Sequence, residues 1–307
     1  MPHLATVKSY ALMLIGTLMA GQCIAEGIKL PHQGLTLNAN LSLAPGSALS
    51  DGVVLITHGT QAHSGLELIQ GLQEGLLERG RNSLAVNLSL GIDDRHGLWN
   101  CDVPSRYRHE DAVGEIGAWV DWLESRGAKD LVLMAHSRGG SQSLWYATEH
   151  DSDNIRSLVL LAPGLSTRER EIDTYRQRFD KDLLPVLTRA QTLVTEGRGD
   201  TLLEGVPFLV ICPETSVSAS SFVSFYADDA RRDTPYWLNR VNKPTLIITG
   251  SADTMVPELP DRVKPFVDGQ RIQLETVEMA GHFFRDLNLE DAMDAAVAFI
   301  ESVETNQ

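Results

Sequence analysis

The sequence predicts an α/β fold: a mostly parallel sheet with helices on both faces and an inserted, largely helical cap. Three observations lead there. Short apolar runs alternate with stretches at helical spacing, the pattern of buried parallel strands joined by amphipathic helices. That alternation stops at Pro163-Gly164 and resumes at Pro244, leaving a segment, 165–242, of about 80 residues that is too long for a loop. Finally, Leu131-Val-Leu-Met-Ala-His-Ser-Arg-Gly-Gly-Ser141 places a serine where a strand turns sharply into a helix. Such a turn tolerates only small residues two before and two after the serine, here Ala135 and Gly139.

The chain opens on a short apolar stretch, Ser9 to Gly21, with Lys8 as the only charge before Glu26. The stretch is too short to span a bilayer comfortably, and Cys23-Ile-Ala25 supplies small-x-small before Glu26. Residues 1–25 therefore read as a secretory signal peptide cleaved after Ala25, and the protein as periplasmic or secreted. A lipoprotein acylated on Cys23 fits less well, because Gln22 is bulky where such signals carry a small residue.

The remaining chain can form one large domain with an insertion. Its division is 26–164 and 243–307 for the core and 165–242 for the cap. The net charge of −15 argues against nucleic acid or an anionic membrane as partner. With 3 cysteines, one of them in the signal, a disulfide-dense scaffold is excluded.

Leu35 to Leu43 alternates apolar and polar residues and predicts a half-exposed strand, antiparallel at a sheet edge. Val53–Thr57 is a buried strand ending in His58-Gly59-Thr60-Gln61. Ser64 and Glu67 form a capping box for a helix carrying Ile69, Leu72 and Leu76, closed by Gly80. Ser83–Leu88 is the next strand, followed by a long polar loop, Ser89 to Ser105. Ala112, Ile116, Trp119, Val120 and Leu123 mark one helix face, stopped by Gly127. Ser157–Ala162, Pro244–Gly250 and Arg271–Glu278 are further strands, and a last helix carries Met293, Ala296, Phe299, Ile300 and Val303.

A serine nucleophile needs a base within hydrogen-bond reach and a third group to orient that base. Asp253 follows one strand in Gly-Ser-Ala-Asp and His282 follows another in Ala-Gly-His-Phe. In a parallel sheet both fall on the same edge as Ser137. In isolation each has a plainer reading: a helix-capping serine, a turn aspartate, a packed histidine.

With the nucleophile elbow Ala-His-Ser-Arg-Gly, these segments resemble the α/β-hydrolase superfamily, from about Val53 to the final helix. The resemblance implies Ser137 as nucleophile, His282 as general base then acid, and Asp253 as its orienting partner. It also implies an oxyanion hole from the backbone N–H of Arg138 and, in the loop after the His-Gly strand, of Thr60. The activity implied is hydrolysis of an ester of a small or medium-sized substrate. A peptidase or amidase of the same fold, or a catalytically silent binding protein, is the alternative.

Other residues leave two readings open. Phe222, Phe225, Tyr226, Tyr236 and Trp237 either wall an acyl pocket or form the cap's own core. Arg95, Arg106, Arg108 and Arg138 either receive a substrate carboxylate or, for the first three, lie solvated on the surface; Arg138 could instead pair with an acid. His58 is expected to structure the oxyanion loop and His136 to pack beneath the elbow. His63, His96 and His109 lack zinc-site spacing, and no phosphate loop or dinucleotide fingerprint occurs, so neither metal nor cofactor is expected. Cys101 lies in the loop after Ser83–Leu88 and Cys212 in the cap. If both lie over the carboxyl edge of the sheet in an exported protein, they are expected to form a disulfide tying cap to core.

Overall fold

The computed structural model describes residues 26–150 and 152–305; the signal-peptide expectation falls outside the described residues. Ten strands and nine α-helices are described: β1 (Glu26–His32), β2 (Leu35–Ser42), β3 (Val53–Thr57), α1 (Glu67–Glu78), β4 (Ser83–Asn87), α2 (Asp111–Glu124), β5 (Leu131–His136), α3 (Arg138–Glu149), β6 (Ile155–Leu161), α4 (Arg168–Phe179), α5 (Leu183–Thr195), β7 (Leu202–Phe208), β8 (Cys212–Ser218), α6 (Ala219–Tyr226), α7 (Thr234–Leu238), β9 (Thr245–Gly250), α8 (Leu259–Val263), β10 (Ile272–Val277) and α9 (Leu287–Thr305).

Eight strands form one sheet in the order β1-β2-β4-β3-β5-β6-β9-β10. From β4 to β10 every neighbouring pair is parallel; β1–β2 and β2–β4 are antiparallel. Every residue of β3, β4, β5 and β9 is buried, so both faces of the sheet are covered. The helices pair closely. A Cβ at Gly71 would strike Leu289 of α9, and one at Gly117 of α2 would come 2.9 Å from the Tyr146 ring of α3.

Two local expectations are corrected. The strand from Leu35 is not the sheet edge, because β1 pairs outside it through a tight turn with Gln33 and Gly34 both at positive φ (46° and 83°). Strand β1 alternates only between exposed and half-exposed residues and buries none fully, so its apolar signal is weak. The Ser64/Glu67 capping box does not form either. Helix α1 starts after Leu66 with no side-chain cap; Ser64 instead bonds across to the sheet, its N–H donating to Asn87 Oδ1 at 2.7 Å.

Between the neighbouring parallel strands β6 and β9 the chain makes a long excursion through α4, α5, the antiparallel pair β7–β8, α6 and α7. The excursion carries four α-helices, and β7–β8 is an addition to the expected picture. Its signal in the sequence is weak because Pro207 and Pro213 interrupt the strands and the register shifts twice along the pair. The loop after β4 is stitched onto this pair. Ser105 N–H donates to Ser216 O and its carbonyl accepts from Ser218 N–H, both at 2.8 Å. Cys101 and Cys212 are bonded, with S–S 1.97 Å and Cα–Cα 5.5 Å.

Candidate active site

The parallel strands deliver the chemistry-bearing residues to one edge. Ser137 follows β5 directly, Asp253 stands three residues past β9, and His282 five residues past β10. The turn at Ser137 forces φ 54°, ψ −127° on a residue with a side chain, a conformation held only when the surroundings over-determine it. They do so through the backbone: Ser137 N–H donates to Leu161 O at 2.9 Å, and its carbonyl accepts from Gly140 and Gly164 at 2.8 Å each. Gly139 is required, since a Cβ there would collide with the backbone carbonyl of His58.

His282 Nε2 lies 3.0 Å from Ser137 Oγ, and its Nδ1 lies 2.8 Å from Asp253 Oδ2. Asp253 Oδ1 accepts from the N–H groups of Met255 (2.7 Å) and Val256 (3.1 Å). Burial pushes the Asp253 carboxyl up, but the bonds from His282 and these two N–H groups outweigh it and hold the pKa below the usual value. Asp253 is thus a carboxylate fixed at both oxygens. A chain of carboxylate, imidazole and hydroxyl can move a proton from Oγ to Nε2 and stabilise the imidazolium that results.

The backbone N–H groups of Arg138 and Thr60 meet no acceptor among the described residues. Arg138 opens α3, so its N–H also lies at the positive end of a helix. The two residues are linked, Arg138 Nε donating to Thr60 Oγ1 at 2.9 Å.

His58 and His136 lie buried below the site. Burial lowers the pKa of each to about 3, so both rings are neutral. His136 Nε2 donates to the carbonyl of His282 at 2.9 Å, fixing the loop that carries that histidine. His58 Nδ1 donates to Gly59 O at 2.8 Å, and its Nε2 accepts from Leu88 N–H and Arg95 Nη2.

Arg95 is the clearest departure from the sequence reading. It is neither on the surface nor at the site: it is 3 % exposed and buried under the loop after β3. There it donates to the carbonyls of Leu88 (2.8 Å) and Ala62 (2.8 Å) as well as to His58. Arg106 bonds the Asp200 carbonyl and Arg108 lies beside Glu110 and Asp111, and neither lines a cavity at Ser137. Arg138 makes no ion pair among the described residues. Of the insertion's aromatic residues, Phe222, Phe225 and Tyr226 are buried around Phe208 in its own core, whereas Trp237 stacks on Trp145 of α3 with the half-buried Tyr236 against its edge.

Two cavities meet at Ser137 and His282. One, of about 280 Å³, is apolar and lined by Leu66, Leu68, Ile69, Ile211, Phe283 and Leu289. The other, of about 690 Å³, is polar and runs under α4, with Arg138, Glu171 and Arg232 on its walls. Sequence reasoning missed Arg232, His109 and Gln61, whose positions depend on contacts remote in the chain. Among the described residues no group of His, Cys, Asp and Glu is placed to hold a metal ion, and no helix is long and apolar enough to cross a membrane.

A family model described as the alpha/beta hydrolase family matches residues 53–299. No curated protein matches the chain. Among solved structures, it is similar to Est1E from Butyrivibrio proteoclasticus with ferulic acid bound, at 18% identity, TM-score 0.64, covering 89% of this chain and 99% of that one. It is also similar to a monoacylglycerol lipase from Paleococcus ferrophilus, at 20% identity, TM-score 0.59, covering 87% and 99%. The esterase Pf2001 from Pyrococcus furiosus matches at 16% identity, TM-score 0.59, over 91% and 90%. At these identities the likeness is one of fold. The match of the family model across most of the chain, over the β5–α3 elbow and the two loops that face it, makes this protein a member of the alpha/beta hydrolase family.

Proposed function

We propose that the protein is a serine hydrolase that cleaves carboxylic esters. The observation that carries this reading is the unbroken line from Asp253 Oδ2 through His282 to Ser137 Oγ, at 2.8 and 3.0 Å. Ser137 Oγ attacks the ester carbonyl while His282 Nε2 takes its proton. The free N–H groups of Arg138 and Thr60 receive the developing oxyanion. Collapse of the tetrahedral intermediate expels the alcohol, which takes the proton from His282. Water, activated by the same imidazole, then hydrolyses the acyl-enzyme. Structural neighbours described as a monoacylglycerol lipase and an esterase are consistent with this choice, as is the apolar cavity beside the serine.

Residues 165–242 act in this reading as a cap that sets access, since α4 roofs the polar cavity that ends at Ser137. Export is part of the same proposal. A Cys101–Cys212 bond suits an oxidising compartment.

A panel of short acyl esters and amides, assayed beside labelling with a serine-directed phosphonate, tests the activity. Ester turnover with phosphonate on Ser137 is expected. Silence across the panel with Ser137 unlabelled would favour a binding protein on the same fold, and amide turnover exceeding ester turnover would favour a peptidase or amidase.

A further inference from the structure

The polar cavity holds cationic donors that the protein leaves unused. Arg232, just before α7, has a side chain only 3 % exposed. Its Nη2 donates to the Ala227 carbonyl, but Nε and Nη1 have no hydrogen-bond partner among the described residues. The nearest acid is Glu171, whose Oε1 stands 3.6 Å from Nη1 and already accepts the Ser166 hydroxyl at 2.8 Å. Arg138, on the same cavity, donates through Nε alone, to Thr60. Nearby His109 has an unpartnered Nδ1, and its ring is kept neutral by burial and then by Arg138 and Arg232.

A guanidinium cannot shed its proton, and a buried cation with unbonded N–H groups is costly unless an acceptor arrives. Water would satisfy hydrogen bonds but not charge. At the inner end the two guanidiniums face Glu171; of the other acids that act on Arg232, Asp229 already pairs with Arg231 and Asp228 is the weakest. Elsewhere on the cavity Arg170 pairs with Glu258, Arg178 bonds the Val210 carbonyl, and Glu169 and Asp173 are exposed on α4 at the rim. The excess positive charge therefore lies deep, next to Ser137. A carboxylate matches it in charge and presents two acceptors to a planar fork.

Resting on the ester-hydrolase reading, we infer that the substrate is an ester with one carboxylate-bearing arm, held by Arg232 and Arg138, and one apolar arm in the cavity lined by Leu68, Ile69 and Phe283. Charge and shape then align the ester carbonyl over Ser137 from both sides. A neutral ester lacks one anchor and leaves the guanidinium groups unpaired.

The test compares matched esters on the wild-type protein. The 4-nitrophenyl monoester of glutaric acid carries the carboxylate on the acyl side, and 4-nitrophenyl pentanoate is its neutral partner. The compound 4-(butanoyloxy)benzoate carries it on the alcohol side, and its methyl ester is the neutral partner. One acidic ester should exceed its partner in kcat/KM by about 10- to 100-fold, the range for a charge-assisted hydrogen bond, and which one identifies the arm. In Arg232→Gln that ratio should fall to below about threefold, and Arg232→Lys, which keeps charge but not the fork, should restore part of it. If Arg232→Gln does not fold, the wild-type ratios still decide. Equal kcat/KM for both pairs, with Ser137 labelled by phosphonate, overturns the carboxylate site and leaves the ester reading standing. Acid preference unchanged in Arg232→Gln removes Arg232 from the site. No turnover of any ester with Ser137 unlabelled overturns both.

Discussion

The side-chain carbonyl of Gln61 accepts the backbone N–H of Ile211 at 3.1 Å, joining the loop after β3 to the β7–β8 turn of the insertion. The same oxygen accepts the Val210 N–H at 3.1 Å, and Gln61 Nε2 approaches Cys212 Sγ at 3.6 Å. Gln61 is adjacent to Thr60, is 2 % exposed and sits at φ 55°. The proposed oxyanion donor and the insertion are therefore mechanically linked.

From this link, Gln61→Ala should lower kcat more than it changes KM, by about 10-fold or more, since losing an oxyanion donor outright costs about 10²–10³. Gln61→Glu keeps the acceptor and should recover most of the rate. Steady-state kinetics on one short ester decides it, and wild-type kcat in Gln61→Ala would show that the insertion does not position the loop.

The Asp253–His282–Ser137 line should behave as one unit. Ser137→Ala and His282→Ala should each reduce kcat by about 10⁴ or more, and Asp253→Asn by a comparable factor through the wrong imidazole tautomer. Circular dichroism should show each variant folded. Near-normal turnover in His282→Ala would refute the assignment.

Stability should fall on acidification. His58 and His136 hold pKa values of about 3 in the folded protein, against 6.5 when unfolded, so the unfolded chain binds more protons and stability is lost as pH drops below 6.5. Glu115, raised to about 7 by burial, acts in the opposite sense between 4.5 and 7. His109 is lowered in the same way by burial, so three histidines against one glutamate leave a net loss on the order of 3 kcal/mol per pH unit from 6.5 to 4.5. Urea unfolding across that range measures it, and His136→Gln should flatten the slope by about one proton. A flat wild-type profile would contradict the argument.

The Cys101–Cys212 bond closes a sequence separation of 111 residues. In the chain-entropy model it contributes about 5 kcal/mol. Cys101→Ser should lower the unfolding free energy by up to that amount, and reductant should then have no further effect. Mass spectrometry of protein alkylated while denatured but not reduced should find both cysteines unmodified; alkylation of both would disprove the bond.

Several parts of this molecule are written locally. Val53–Ile56, Leu131–Ala135 and Leu246–Ile248 are continuous apolar runs, because a strand covered on both faces buries side chains on each of them. The elbow is legible because its geometry demands small residues at fixed offsets from Ser137. Asp253 and His282 are legible because parallel strands send their carboxyl ends to one edge, so order along the chain becomes proximity in space.

What tertiary structure alone decides is the fate of the charged residues between these runs. Arg95 reads as a surface arginine until the loop after β3 closes over it with the Ala62 carbonyl and a His58 nitrogen, while its own loop supplies the Leu88 and Gly97 carbonyls. Arg232 and His109 are about 120 residues apart in sequence and share a cavity only once the insertion has folded onto α3. The β7–β8 pair was hidden by prolines and bulges that weaken local strand signals, and it is held by Ser105 and Cys101 from outside the insertion. Periodicity reports which face of an element is buried. It carries no record of which distant segment does the burying, and that partner determines whether a buried charge is clamped, paired or left free for a ligand.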